Sequence, residues 1–223
     1  MTDFVELRRG MVDSQVRAND VTDLRIVGAM LEIPRERFVP EALRTFAYID
    51  DDLAIRPAVD GKPARHLMEP MILARLVQLA DVQADNHVLD IGTGTGYSAA
   101  LLSRLAQQVV ALEEDAGLAA TAAQTLSDLD VDNVAVMQGP LNEGWAPDAS
   151  YDVIFLNGSV DEVPQALLDQ LKDGGRLVCI VGRGGSARAT VFTNVAGKIG
   201  EMPGFNGAVP ALPGFESKPV FVF

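Results

Sequence analysis

The sequence predicts an α/β fold: a doubly wound, mostly parallel sheet carrying a helical cap at its N-terminal end. Three observations predict it. From residue 87 on, apolar strand candidates at 87–91, 109–113, 133–137, 151–156 and 175–181 alternate with helical stretches at 98–106, 116–127 and 163–171. That rhythm belongs to a parallel sheet covered by helices on both faces. Residues 1–46 carry apolar side chains at helical spacing only. Beyond residue 190, strand-like runs follow one another without a helix, which predicts an antiparallel hairpin finishing the sheet.

Taken in order, Phe4, Leu7, Met11 and Val12 share one helical face. Asp23 to Glu32 repeats the pattern with Leu24, Val27, Met30 and Leu31. Asp20 or Thr22 is placed to cap this second helix and Pro34 to end it. PRERFVP, 34–40, then leads into a third short helix through Leu43. Residues 47–70 hold three prolines and one glycine and predict a long irregular connection, of a length that inside a compact domain is usually functional or disordered. Met71 to Ala80 is an amphipathic helix. Asp85-Asn86 and Asp173-Gly174-Gly175 supply turns before strands. At the end, Thr190 to Val195 is strand-like, Pro203 to Gly214 a Gly/Pro-rich loop, and Pro219 to Phe223 a last strand.

The totals narrow the function. With 223 residues, 48% hydrophobic and 22% charged, the chain buries a sizeable core as an ordinary globular protein. A net charge of −13 with scattered Lys and Arg argues against nucleic-acid and anionic-membrane partners. The single cysteine, Cys179, lies in an apolar run and reads as a buried small hydrophobe. No signal core and no long apolar run precede or interrupt the pattern, so a cytoplasmic protein is expected. Two histidines, His66 and His87, without a cysteine partner make a metal site improbable, and none is assigned.

Everything is organised around VLDIGTGTGY, 88–97. An apolar run stops at three alternate glycines, Gly92, Gly94 and Gly96, and resumes as Ser98-Ala99-Ala100-Leu101-Leu102, which reads as strand, tight turn, helix. Such glycines let a ligand lie against bare backbone and permit φ angles that a Cβ forbids. A dinucleotide fingerprint places its third glycine where Tyr97 stands. The pattern here is instead acid-x-G-x-G-x-G, with Asp90 at the strand end to attract a cation. S-adenosyl-L-methionine carries an ammonium and a sulfonium and no phosphate, so it suits this turn better than a pyrophosphate does. Glu113 follows Gly96 by 17 residues at the end of the next strand, near the offset at which an acid grips ribose hydroxyls. The same residue also reads as a solvated acid of the pair Glu113-Glu114.

These segments resemble the protein-L-isoaspartate O-methyltransferase family over nearly the whole length. PRERFVP with AYIDDDLAI resembles its N-terminal signature, VLDIGTGTGY its cofactor motif, and YDVIFLNGSVDEVP and LLDQLKDGGRLV its later motifs in order and spacing. The resemblance implies a Rossmann-like sheet of seven strands with an antiparallel last strand. It also implies methyl transfer from S-adenosyl-L-methionine, leaving S-adenosyl-L-homocysteine, to the carboxylate of an isoaspartyl-containing protein or peptide. Residues 1–80 are then a cap and substrate loop packed on the cofactor-binding domain of 81–223. Gly92, Thr93, Gly94, Gly96 and Tyr97 would line the methionine portion beside Asp90, Glu113 would take the ribose hydroxyls, and Gly139, Pro140 and Leu141 would flank adenine.

Two positions depart from the family. Its Thr-Ile-Ser-Gln-Pro run corresponds here to His66-Leu67-Met68-Glu69-Pro70. Met68 replaces the serine that helps hold the substrate carboxylate, and Glu69 adds a like charge. Pro140 stands where an aspartate commonly accepts from the adenine amine. Transfer to a carboxylate needs positioning and desolvation more than a strong base, whereas a hydroxyl acceptor would call on His66 or Glu69 as a base. His66, Met68, Glu69 and Asn157, at a sheet's carboxyl edge, are therefore the candidate acceptor-side residues. His66 also reads as a surface loop histidine, Glu69 as a solvated acid and Asn157 as a turn residue. A diverged small-molecule O-methyltransferase and a non-catalytic S-adenosyl-L-methionine-binding protein stay open beside the leading reading.

Overall fold

A computed structural model describes residues 2–217 except Asp60. Strands β3 (His87–Ile91), β4 (Gln108–Glu113), β5 (Val134–Gln138), β6 (Tyr151–Val160), β7 (Leu171–Val181), β8 (Arg188–Val195) and β9 (Lys198–Asn206) form one sheet ordered β5-β4-β3-β6-β7-β8-β9. The first five in that order run parallel; β8 is antiparallel to β7, and β9 to β8. The closing hairpin is formed by β8 and β9, 198–206, while the strand expected at 219–223 is a separate stretch. The latter stretch lies outside the described residues.

Alternation along the central strands explains the two-faced burial. Val88, Val109, Ala111, Val153, Phe155, Val178 and Ile180 face one apolar cluster. Leu89, Ile91, Val110, Leu112, Ile154, Leu156, Leu177 and Cys179 face the other. Because successive side chains point to opposite faces, a strand buried on both sides reads as a continuous apolar run. The first cluster also takes in Met11, Val27 and Met30 of the N-terminal helices, so the cap shares the sheet's core.

The cap comprises α1 (Phe4–Met11), continued by a π turn at Val12–Val16, and α2 (Leu24–Glu32). Asp3 and Asp23 accept from their helices' first free N–H groups, so the capping of α2 falls to Asp23 rather than to Asp20 or Thr22. The PRERFVP region forms two short 3-10 turns, Arg35–Phe38 and Glu41–Phe46. Helices α4 (Tyr97–Ser103) and α5 (Ala116–Asp128) occupy their expected crossovers, whereas α6 (Gln165–Leu168) is shorter than predicted because β6 extends to Val160 and β7 begins at Leu171.

The connection 47–70 is more ordered than its prolines suggest. β1 (Leu53–Arg56) and β2 (Arg65–Leu67) pair antiparallel, with Ile55 as an unpaired extra residue between Ala54↔His66 and Arg56↔Arg65. Such a bulge twists a ribbon and re-aims its side chains. Three- and four-residue strands carry too little alternation to be read from sequence. α3 (Pro70–Ala80) starts at once after the ribbon, with Pro70 at its first turn, where a missing N–H costs nothing.

Candidate functional site

Strand β3 delivers Asp90 to the carboxyl edge of the sheet, and the chain leaves it through Gly92, Gly94 and Gly96 at φ +79°, +60° and +97°. These left-handed angles need glycine. Gly96 is also the residue before α4, and an added Cβ there would meet Ala122 at 3.2 Å. Tyr97 packs beneath the turn, fully buried, edge-on to Phe38 at 5.3 Å and under the Arg35 guanidinium at 4.8 Å. The buried Thr93 hydroxyl lies next to Asp90.

Asp90 is wholly buried, and burial pushes its carboxyl up to about 7 despite help from the Ser98 and Thr93 hydroxyls. Ser98 donates to Asp90 Oδ2 at 2.7 Å, while Oδ1 makes no hydrogen bond of normal geometry, the neighbouring Thr93 hydroxyl being itself unpaired. Asn157 completes this relay by donating to Ser98 Oγ at 3.0 Å and to the Gly92 carbonyl at 3.3 Å. It is not a turn residue at a strand end, because β6 continues three residues beyond it. Its own Oδ1 is a second buried acceptor without a donor. Two orphaned acceptors beside bare backbone make a local demand for a cation or an N–H group. The residues here fit the ammonium end of S-adenosyl-L-methionine on that ground.

The position expected to take the ribose hydroxyls is filled. Glu113, wholly buried at the end of β4, receives Arg65 Nη1 on Oε1 at 2.6 Å and Nη2 on Oε2 at 2.9 Å. The Gly94 and Asp115 amides add donors at 2.8 and 3.1 Å. An ionised carboxylate offers about four acceptor positions, and this chain occupies all of them. Arg65 comes from β2, and the β1 bulge brings Ile55 Cδ1 to 2.7 Å from where a Cβ on Gly94 would stand. A further cover comes from the segment 209–212, which lies along β6: Ser159 N–H donates to Pro210 and Leu212 N–H to Ser159, at 3.0 and 2.8 Å. Its Leu212 side chain stands 2.6 Å from a would-be Cβ at Gly92 and 2.7 Å from one at Gly158.

Of the residues expected to face the acceptor, His66, Met68 and Asn157 line one narrow cleft of about 10 Å³ together with Arg65 and the 209–212 segment. Met68 is buried, and its carbonyl accepts from Arg35 Nη2 at 2.7 Å. His66 is half-buried on β2, and its Nδ1 has no partner. Glu69 does not line this cleft; burial and the neighbouring Asp52, Asp50 and Asp51 push its carboxyl up to about 7. At the positions expected to flank adenine, Gly139 N–H donates to the Glu113 carbonyl at 3.1 Å and lies near Trp145, Pro140 is exposed, and Leu141 is buried. Sequence reasoning missed Arg65 and Leu212. A cation one residue ahead of His66 is a faint signal, and Leu212 sits in a loop with none.

A parallel sheet closed by an antiparallel hairpin, with an acid–glycine turn at the carboxyl end of its middle strand, places the chain among the class I methyltransferases. The family model for protein-L-isoaspartate(D-aspartate) O-methyltransferase matches residues 8–202. A protein-L-isoaspartate O-methyltransferase 1 of Rhodopseudomonas palustris is 38% identical over 190 residues, 85% of this chain and 75% of that protein. A protein-L-isoaspartate O-methyltransferase of Synechococcus sp. is 41% identical over 179 residues, 80% and 71%. Among solved structures, a protein-L-isoaspartate O-methyltransferase superposes with a TM-score of 0.79 at 28% identity, over 93% of this chain and 66% of that one. A putative protein-L-isoaspartate O-methyltransferase from Plasmodium falciparum, in complex with S-adenosyl-L-homocysteine, shares the fold with a TM-score of 0.76 at 19% identity, over 95% and 99%. The chain belongs to the protein-L-isoaspartate(D-aspartate) O-methyltransferase family.

Proposed function

We propose that this protein methylates the carboxylate of isoaspartyl residues in damaged proteins, using S-adenosyl-L-methionine. The observation that carries the reading is the Asp90–Ser98–Asn157 relay at the glycine turn, with two buried acceptors left open to a cationic ligand. When bound, the cofactor supplies an electrophilic methyl on sulfur; the S–CH3 bond breaks as an O–CH3 bond forms, giving an ester and a thioether.

The chain's part is positional. Asp90 and Asn157 hold the positively charged end, Gly92, Thr93, Gly94 and Gly96 offer backbone, and Tyr97 supports the turn from below. Glu113 takes the ribose hydroxyls, and Gly139 to Leu141 flank adenine; the Leu141 N–H donates to a ring nitrogen, while the acceptor for the adenine amine that Pro140 lacks is not replaced. His66, Met68 and Asn157 border the acceptor cleft, and a substrate seated there would displace water and so strengthen the charges beside it. Residues 1–80 serve as cap and substrate loop on the cofactor-binding unit of 81–223.

In a second reading a small hydroxylated acceptor binds outside the 65–68 cleft and uses Glu69 as its base; burial and the neighbouring Asp52 push that carboxyl up to about 7, which favours it. Incubation with radiolabelled cofactor, an isoaspartyl peptide and its aspartyl twin separates the two. Base-labile label on the isoaspartyl peptide alone supports repair methylation, and label on neither contradicts it.

A further inference from the structure

Arg65 is held by Glu113 in a geometry that wants a carboxylate and in a place that borders the acceptor cleft. Its side chain is 4% exposed and its guanidinium engages both Glu113 oxygens, the fork-to-fork pairing that selects carboxylates. Of the residues lining the cleft with His66 and Met68, Arg65 is the one with a permanent positive charge. Met68 offers no donor where an acidic acceptor would need one.

We propose that Arg65 is the acceptor-binding residue of this protein, and that it changes partner: it leaves Glu113 when the nucleoside arrives and takes up the carboxylate of the isoaspartyl substrate. The inference rests on the function proposed above. Glu113 has no acceptor position left while Arg65, Gly94 and Asp115 donate to it, so ribose hydroxyls enter only as the guanidinium withdraws. A buried guanidinium deprived of its counter-charge is costly. A carboxylate in the adjoining cleft restores it. Each ligand thereby lowers the cost of binding the other, and such coupling is reciprocal. Leu212 crowds the same side of the turn, its Cδ2 and Arg65 Nη2 standing 2.6 and 3.5 Å from one would-be Cβ position on Gly92, so the displacement moves Leu212 as well. A neutral acceptor would give no such coupling, which ties Arg65 to the acidic class of substrate.

The test is calorimetric titration of the full chain with S-adenosyl-L-homocysteine, alone and with saturating isoaspartyl peptide, in wild type, Arg65→Gln and Arg65→Lys. In wild type the peptide tightens nucleoside binding about tenfold, within the range common for coupled sites, and the aspartyl twin does not. Arg65→Gln binds the nucleoside alone at least about fivefold more tightly, because competition for Glu113 is gone, and loses the coupling; the peptide KM rises with it. Arg65→Lys retains a cation without the fork and falls between, and it carries the test if Arg65→Gln does not fold. Nucleoside binding in Arg65→Gln that is unchanged or weaker, or coupling that survives, overturns the exchange. Binding in Arg65→Gln but not in wild type supports it. No nucleoside binding by any of the three overturns the function on which it rests.

Discussion

Arg65 on β2 and Glu113 on β4, 48 positions apart, are joined by two hydrogen bonds of 2.6 and 2.9 Å in a place closed to solvent. The short ribbon that the loop forms is what carries the cation there. Replacing Glu113 by Gln leaves the guanidinium buried without a counter-charge, which costs about 3–5 kcal/mol. The denaturant midpoint is therefore expected to fall steeply in Glu113→Gln, and nucleoside binding to weaken. A midpoint within experimental scatter of wild type would mean that the pair is not formed in solution.

Leu212 seals the turn from the other side. Leu212→Ala removes a buried side chain at a cost of about 2–4 kcal/mol and uncovers Gly92 and Gly158. The expected outcome is a lower melting temperature together with tighter S-adenosyl-L-homocysteine binding by calorimetry. Loss of stability with equal loss of affinity would show that Leu212 helps to build the seat instead of covering it.

The pH dependence of stability follows from Asp90. Its carboxyl titrates at about 7 in the folded chain and near 4 when unfolded. Between those values the folded chain holds a proton that the unfolded chain releases, so stability falls as pH rises from about 4 to 7 and levels off above. Glu69, also at about 7, and Asp52 and Glu114, both pushed upward by burial, act in the same direction. His87, pushed down by burial and Lys172, acts oppositely near its own titration. Asp23, Asp115, Asp152 and Asp161 are held below the usual carboxylate range, so their contribution is complete above pH 5. Urea midpoints at pH 5 and pH 8 are expected to differ less in Asp90→Asn than in wild type. An identical pH dependence in the two would contradict the burial of an ionisable Asp90.

Arg35 fixes the 47–70 connection to the cap. It is fully buried, donates to Ala47 and Met68 carbonyls at 2.7 Å each, and lies over the Tyr97 ring. Arg35→Met abandons two buried carbonyls, and a loss of about 3 kcal/mol is expected from their desolvation. The denaturant midpoint measures it, and amide exchange is expected to accelerate at Leu67 to Glu69 first. Slow exchange there in the variant would place the anchor of the loop elsewhere.

The sheet was legible because strands buried on both faces, such as Val88–Ile91 and Val153–Leu156, write continuous apolar runs between turns. Asp90 and the three glycines were legible because backbone geometry and charge leave a local pattern. The extension of β6 past Asn157 was hidden by its Asn-Gly-Ser sequence, which reads as a turn and is ordered instead by pairing with 209–212. Arg65 was invisible for a related reason. Its role depends on a partner 48 positions away, and it sits on a short ribbon beside the irregularity at Ile55. Long-range ion pairs and strand irregularities leave no periodic trace in a single sequence.

A structure determined with S-adenosyl-L-homocysteine at saturation tests the whole account. It is expected to show the ribose hydroxyls on Glu113, the amino acid end against Asp90 and Asn157, and Arg65 and Leu212 withdrawn from the glycine turn. The Arg65–Glu113 pair intact and Leu212 still on Gly92 at saturating nucleoside would contradict it.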